Sequence, residues 1–338
     1  MNRISYPVDL WARENRPFDF GTYATVSKMM SGEMPTNEIR KILLTWNNEP
    51  LTKDRWWGAY QAVRAGMRTI TLPRPAFDVC GTGGSGIKPF NVSTAAAIVL
   101  AAAGVGVAKY GSKSFSSKSG AADVLKLLGV NIDLSPAAII ECFRRTGFAF
   151  LYAPRFHPNM RYISEARQDL GVATIFNQIV FLPNPARPYR ILGVAGKFQE
   201  QLSLYSDALF SEGSVGLAVT ALDGMDEVSV GSATCVRQIG AAEKKSYYIY
   251  LEETGISHGI PNDVQVKDPE GSADLILKVL KGKEGTALDM ILLNAALPLS
   301  VARQCTLRHA LFLARETIEL GTAAQKLEEI VRASRALS

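Results

Sequence analysis

The sequence predicts an α/β protein in which a small all-helical domain sits beside a larger α/β domain with a mainly parallel central sheet. Apolar residues at helical spacing fill the opening stretch, as far as about residue seventy. The segment TLPRPAF, with Pro73 and Pro75, then breaks that spacing. From Phe77 onward short apolar runs alternate with helix-like stretches, the pattern of helices laid on the faces of a parallel sheet.

Thr36 or Asn37 is placed to cap a helix carrying Ile39, Ile42, Leu43 and Trp46, and Thr52 is placed to cap a second. In that second helix Trp56, Tyr60, Val63 and Met67 form one apolar stripe. Every tryptophan precedes residue 58, which reads as packing within a helical lobe rather than as an aromatic binding site. Past the proline break, FDVC, VGVAKY, VNIDL and FAFLYAP are the short apolar runs, and STAAAIVLAAAG, AADVLKLLG and PAAIIECFRRTG are the helical stretches between them. Residues 158 to 185 read as helical again and stop at LPNP; YRILGVA, GLAVTAL and SYYIYLE read as later strands. A helix from Ser272 to Leu280 and a long one from Leu288 onward complete the chain. The expected division is a helical domain over 1–72 to which an insertion at 158–188 returns, and an α/β domain over 73–157 and 189–338.

At 338 residues, 47% of them apolar, the chain can bury a substantial core, and with 20% charged and 9% aromatic residues the composition suggests neither disorder nor a coiled coil. Lys and Arg exceed Asp and Glu by five (37 against 32), spread among acids with no basic block. Such an excess suits a small anionic ligand as well as it suits nucleic acid, and it is the lack of a basic stripe that makes nucleic acid an unlikely partner. Cys80, Cys142, Cys235 and Cys305 form no CxxC pair, so reduced thiols in a cytoplasmic protein are expected. The opening MNRISYPVDLWAREN lacks the apolar centre of a secretory signal. The run from Ala95 to Ala108 is shorter than the ~20 residues that span a bilayer, and it contains Gly104 and Gly106. It reads as a buried helix turning into a buried strand, with no membrane partner.

The strongest chemical signal is DVCGTGGSGIKPFNVSTAAAIVL, a strand, a Gly-rich turn and a helix opened by Asn91, Ser93 and Thr94. Gly81, Gly83, Gly84 and Gly86 let backbone N–H groups approach a phosphate, and the helix N-terminus adds positive potential. The spacing also fits the dinucleotide pattern GxGxxG, but that reading needs an acid at the end of the next strand, about 20 residues on. VGVAKYG offers Lys109 there. A Walker loop is excluded because GK[ST] does not follow the glycines. The next loop, KYGSKSFSSKSGAAD, brings Lys109, Lys113, Lys118 and several serines to the same sheet edge. Asp226 and Glu227 in LDGMDEVS stand side by side after a predicted strand, where they can hold Mg²⁺. His157, before Pro158, is a candidate substrate contact, whereas His258 and His309 carry no motif.

Taken in order, GTGGS (81–85), NVST (91–94), KYGSK (109–113), SSKSGAAD (116–123), HPNM (157–160), RQDLGVATIFN (167–177), FLPNP (181–185), GMDE (224–227) and DMILLNAA (289–296) resemble the anthranilate phosphoribosyltransferase family. That family's pattern runs GTGGD, NxST, KHGNR, SSxSGxAD, HPxM, R-x-x-LG-x-RTxFN-x-x-GP-L-x-NP, GxDE and DxxxLNAA. The resemblance implies the nucleoside phosphorylase/phosphoribosyltransferase-like fold and a homodimer joined through the helical domain. The implied reaction moves 5-phosphoribosyl from phosphoribosyl pyrophosphate to the amine of anthranilate or a related aromatic acid, a pentosyltransferase step of tryptophan biosynthesis that releases pyrophosphate.

It further implies that Gly81, Thr82, Gly83, Gly84, Ser85, Asn91, Ser93, Thr94, Lys109, Ser116, Ser117, Ser119 and Gly120 hold the donor, with Lys109 and Asn91 the expected catalytic residues. Gly81, Tyr110, Ser112, His157 and Arg167 would face the acceptor, Arg167 through its planar fork. Ser93, Asp226 and Glu227 would hold the Mg²⁺ cofactor. The departures are Ser85 for the acid of GTGGD, Tyr110 and Ser112 for the His and Asn of KHGN, Ala173 for the second arginine, and Val180-Phe181 for Gly-Pro. They bear on the acceptor more than on the donor. The alternative is a family paralogue without catalysis that binds nucleic acid or another anion; the retained Lys109, Asp226 and Glu227 favour the enzyme.

Overall fold

In the computed structural model, which describes residues 19–113, 119–240 and 245–337, the chain begins with three helices, α1 (Phe20–Ser31), α2 (Thr36–Asn47) and α3 (Lys53–Ala65). Asp19 caps α1 by accepting from Thr22 N, and Thr52 caps α3 by accepting from Arg55 N, as its sequence position predicts. The cap expected at Thr36 or Asn37 is instead Pro35, whose side chain makes no cap bond. Thr36 is drawn into a long-range bond to Glu165 Oε2 (2.9 Å), an interaction local spacing cannot reveal.

The α/β part then follows in chain order: β1 (Phe77–Gly81), α4 (Val92–Ala102), β2 (Val107–Gly111), α5 (Ala121–Leu127), α6 (Pro136–Thr146), β3 (Phe148–Tyr152), α7 (Ala153–Phe156), α8 (Arg161–Leu170) and α9 (Phe176–Ile179). Beyond them lie β4 (Tyr189–Gly193), α10 (Leu202–Ser211), β5 (Gly216–Ala221), β6 (Thr234–Ile239) and β7 (Ser246–Ile249). The described chain closes with α11 (Pro269–Leu280), α12 (Thr286–Arg303), α13 (Leu307–Glu319) and α14 (Thr322–Ala336).

The strands form one sheet in the order β3-β2-β1-β4-β5-β6-β7, parallel through β5, with β6 and β7 antiparallel at one edge. Strand residues alternate between two faces. Ile191, Leu217 and Val219 join the core made by α4, α11, α12, α13 and α14, whereas Leu192, Val194 and Ala218 join the cluster of Val26, Met29, Trp56, Tyr60, Ile163 and Phe176 from the helices around α1, α3, α8 and α9. Helix α12 is long and apolar enough to cross a membrane, but most of it is packed inside this core.

Some expected elements differ. VNIDL is not a strand: Asn131 N–H bonds the Ser334 hydroxyl and Val130 N–H bonds Leu125 O, so it is a tether between α5 and α6. The helical stretch at 158–185 breaks after Leu170, where Gly171 takes φ +63°. The long C-terminal helix is three, broken where Gln304 (φ +53°) and Gly321 (φ +70°) turn left-handed. TCVRQI, unread in the sequence, forms β6.

β1 has β2 on one side and β4 on the other, so the connections run in opposite directions from it, and ligands of such sheets bind in the crevice beyond the carboxyl ends of the strands at that reversal. Gly81 and Gly193 are register partners there. Beneath them Asp78 and Arg190 are also register partners and form an ion pair of 3.3 Å with side chains 0% and 1% exposed. Replacing Arg190 by Met should cost about 3–5 kcal/mol by stranding a buried carboxylate, and adding Asp78→Asn should restore part of that loss; urea denaturation of both variants reads the difference.

Candidate functional site

β1 delivers the chain to the Gly-rich turn at the crevice. Gly83 (φ +68°) and Gly84 (φ +82°) are left-handed, a conformation that a side chain would strain. A Cβ on Gly81 would lie 2.4 Å from Asp226 Oδ2, so the first glycine is required for space. The turn is pinned by Thr82, whose N–H donates to Gly193 O (2.9 Å) and whose hydroxyl accepts from Ala195 N–H (3.0 Å). Ser85 is buried and its hydroxyl donates to Ile87 O (2.5 Å).

Asn91 sits at the N-terminus of α4 but makes no side-chain cap bond. Its Oδ1 instead accepts from the Ser119 hydroxyl (2.6 Å) and the Ser272 hydroxyl (3.0 Å). That ties the chain at Ser119 to the helix start. The first-turn amides of α4 keep the positive potential that suits a phosphate. Lys109, 1% exposed, donates from Nζ to Val79 O (2.9 Å) and Ser93 Oγ (3.2 Å). Burial lowers its pKa, while the charges of Asp78 and Glu227 pull the other way. Thr94 is fully buried and its hydroxyl has no partner. Ser116 and Ser117 lie outside the described residues.

Opposite the turn stand the adjacent acids. Asp226 Oδ2 accepts from Gly83 N–H at 2.7 Å. Burial pushes both carboxyls above their usual range, and the neighbouring Asp226 charge pushes Glu227 further, against a weaker pull from Lys109. Glu227 Oε2 is buried with no hydrogen-bond partner. An oxygen in that situation is costly unless a cation meets it, so the pair fits a divalent ion. Among the described residues no third Asp, Glu, His or Cys completes a cluster. That suits Mg²⁺, which takes one or two carboxylates and fills its remaining positions with water and phosphate oxygens. Asn294, from the LNAA segment, holds the chain just past the pair: its Oδ1 accepts from Val228 N–H and its Nδ2 donates to Val228 O, both at 2.9 Å.

The residues expected at the acceptor are more dispersed. Tyr110 and His157 are buried with ring centroids 5.9 Å apart, Tyr110 in a cluster with Ala108, Phe143, Leu151 and Phe156. Burial pushes the His157 imidazole down to about 4, opposed by the Pro183 and Val63 backbone. Ser112 is exposed and donates to Lys113 O (2.7 Å). Arg167 lies in the last turn of α8, over the Phe176 ring at 5.8 Å, with Nη2 donating to Asn177 Oδ1 (3.3 Å). Burial lowers it to about 10.

Two positions escaped the sequence reading. A Cβ on Gly193 would lie 1.6 Å from Asp226 O, so the end of β4 must be glycine for the acid pair to reach the turn. Lys197, just beyond it, places Nζ against Gly84. The signal for both was the third sheet-edge segment, LGVAGK, which follows a predicted strand as the first two loops do.

The sequence profile described as the glycosyl transferase family, a/b domain, matches residues 73–324. Anthranilate phosphoribosyltransferase of Azorhizobium caulinodans is 38% identical over 323 residues, covering 95% of this chain and 93% of that protein. The Geobacillus kaustophilus enzyme of the same name is 38% identical over 312 residues, 91% of each. Among solved structures, anthranilate phosphoribosyltransferase from Thermus thermophilus superposes with a TM-score of 0.82 at 33% identity, covering 95% of this chain and 97% of that one. The Saccharomyces cerevisiae enzyme in complex with PRPP and Mg superposes with a TM-score of 0.83 at 26% identity, covering 94% and 93%.

The packing sets the outcome of two substitutions. Gly193→Ala should lose about 1–3 kcal/mol of stability, because the added carbon meets backbone that cannot rotate away; chemical denaturation measures it. His157 stays neutral in the folded chain down to about 4, below its ordinary value of 6.5. The unfolded chain therefore takes up the proton first, and stability falls as pH drops through that interval. Compared with His157→Leu, the wild type should lose about 2–3 kcal/mol more between pH 7 and pH 4, read from paired denaturation curves.

Proposed function

The chain belongs to the anthranilate phosphoribosyltransferase family, and from that premise we propose how its own residues carry the activity. It is a glycosyltransferase that moves 5-phosphoribosyl from phosphoribosyl pyrophosphate to the amine of anthranilate or a related aromatic acid and releases pyrophosphate, a step of tryptophan biosynthesis. The observation that carries the assignment of the site is the Asp226–Gly83 bond of 2.7 Å, which sets an acid pair with an unpartnered oxygen against a phosphate-binding turn.

The chemistry needs no covalent nucleophile. As the C1–O bond to pyrophosphate stretches, positive charge grows on the ribose and negative charge on the leaving group, so positioning and charge supply the catalysis. The Gly81–Gly84 backbone, the start of α4 at Asn91, Ser93 and Thr94, and Ser119 and Gly120 hold the donor. Lys109, fixed by Val79 O and Ser93, supplies a cation beneath it. Asp226 and Glu227, with the Ser93 hydroxyl, hold Mg²⁺, which neutralises pyrophosphate charge when bound. Arg167 meets the acceptor carboxylate as a planar fork, and Gly81, Tyr110, Ser112 and His157 shape the rest of that subsite.

A homodimer through the helical lobe is supported by Phe20, Leu44 and Tyr162, which keep large apolar surfaces exposed there. The unpaired state of Cys80, Cys142, Cys235 and Cys305 supports a cytoplasmic setting.

Pyrophosphate release from phosphoribosyl pyrophosphate with Mg²⁺, measured with anthranilate, with substituted aminobenzoates and with no acceptor, tests the reading. Release with anthranilate is expected. Release with another amine alone would move the acceptor assignment, and none with any acceptor from folded protein would sink the enzyme reading. Glu227→Gln should lower kcat/KM by about 10²-fold or more and raise the Mg²⁺ concentration needed for half-maximal rate.

A further inference from the structure

Lys197 follows β4 in a short 3₁₀ turn, Gly196–Gln201. Its position is fixed from both sides of the crevice. Ala195 N–H donates to the Thr82 hydroxyl at 3.0 Å, and Gly196 N–H donates to Gly224 O at 3.1 Å. The start of this turn is therefore bonded at once to the Gly-rich turn and to the GMDE turn that carries the acid pair. From there the Lys197 side chain lies across Gly84: a Cβ on that glycine would be 2.6 Å from Nζ and 2.7 Å from Cε. The ammonium also stands 5.0 Å from the centroid of the Phe198 ring.

The ammonium has no carboxylate partner within ion-pairing distance among the described residues, although Asp226, two residues beyond the Gly224 that the Gly196 amide bonds, is held to Gly83 nearby. Lys109 is different: it is buried and committed to Val79 O and Ser93. It supplies charge from beneath the turn, whereas Lys197 is exposed and supplies it from the solvent side. A flexible stem ending in a compact point charge is suited to an anion whose oxygens shift during reaction.

We propose that Lys197 is a further donor-binding residue that contacts the pyrophosphate group over Gly84. The inference rests on the reading that this chain binds phosphoribosyl pyrophosphate. The pyrophosphate end is indicated because the turn beneath Lys197 is the one bonded to Asp226, and a divalent ion held by that acid would neutralise pyrophosphate charge. The contact strengthens donor binding and holds the departing pyrophosphate. It makes no demand on the aromatic acceptor.

The test compares wild type, Lys197→Gln and Lys197→Arg in KM for phosphoribosyl pyrophosphate, KM for anthranilate, and inhibition by inorganic pyrophosphate and by ribose 5-phosphate. Lys197→Gln should raise the donor KM and the pyrophosphate inhibition constant about tenfold, the worth of one charge-assisted contact. Lys197→Arg should recover most of it, and anthranilate KM and ribose 5-phosphate inhibition should stay unchanged. Wild-type donor KM and pyrophosphate inhibition in Lys197→Gln would overturn this inference and leave the function standing. Equal weakening of ribose 5-phosphate would also overturn it, placing the charge at the other phosphate. A wild-type chain that neither turns over nor binds phosphoribosyl pyrophosphate in calorimetry would overturn the function, and this inference with it.

Discussion

The crevice depends on a charge pair buried in the middle of the sheet. Asp78 on β1 and Arg190 on β4 face each other, and both make further bonds to the segment that follows α9 and to the strands beside them. Asp78 accepts from Asn184 Nδ2 (2.9 Å) and from Tyr110 N–H (3.3 Å), which reaches the return segment after α9 and the strand β2. Arg190 donates to Leu182 O, Phe181 O and Cys80 Sγ, which reaches the same segment and the last stretch of β1 before the Gly-rich turn. A buried pair of this kind contributes little net stability against an apolar replacement, because desolvation offsets the attraction. Its value is geometric. Five-donor guanidinium and two-oxygen carboxylate fix three strands and the exit from the helical cluster at once, so the glycines above them meet at a defined separation.

That separation is narrow. Gly81 and Gly193 leave room for Asp226 and its backbone, and either Cβ would enter space the acid already fills. The site is thus built by removing side chains at two strand ends so that a third segment can pass between them. The acid segment is in turn held from behind by Asn294 on α12, whose amide bonds both backbone groups of Val228. Glycines at strand ends and a buried amide on a core helix read as packing when taken singly. Their joint effect is to place two carboxylates against the Gly-rich turn.

The local parts of this arrangement were legible in the sequence. The Gly-rich turn, the Thr52 cap, the alternation of strands with helices and the placing of Lys109 at the edge of the next strand all follow from spacing and residue chemistry within about twenty residues. What the sequence hid was set by distance along the chain. Thr36 leaves its capping role for Glu165, VNIDL is tied to Ser334 instead of a strand, and Lys197 meets Gly84 across the intervening helical segment. β6 escaped because TCVRQI mixes polar and apolar residues, as an antiparallel strand near a sheet edge does when part of it faces water. Gln304 escaped because a left-handed residue other than glycine leaves no compositional mark on a helix end.

The electrostatics of the site converge on one ligand chemistry. Burial weakens the hold of Lys109 on its proton and strengthens that of Asp226 and Glu227 on theirs, so each group is under pressure to lose its charge. An anion near the lysine and a divalent cation near the acids would relieve these pressures. Gly83 N–H adds a geometric link: it is engaged by Asp226, and an amide serves one strong acceptor well. A divalent ion held by Asp226 would compete with that bond, so the acid that would hold a metal and the turn that would hold a phosphate meet at one amide.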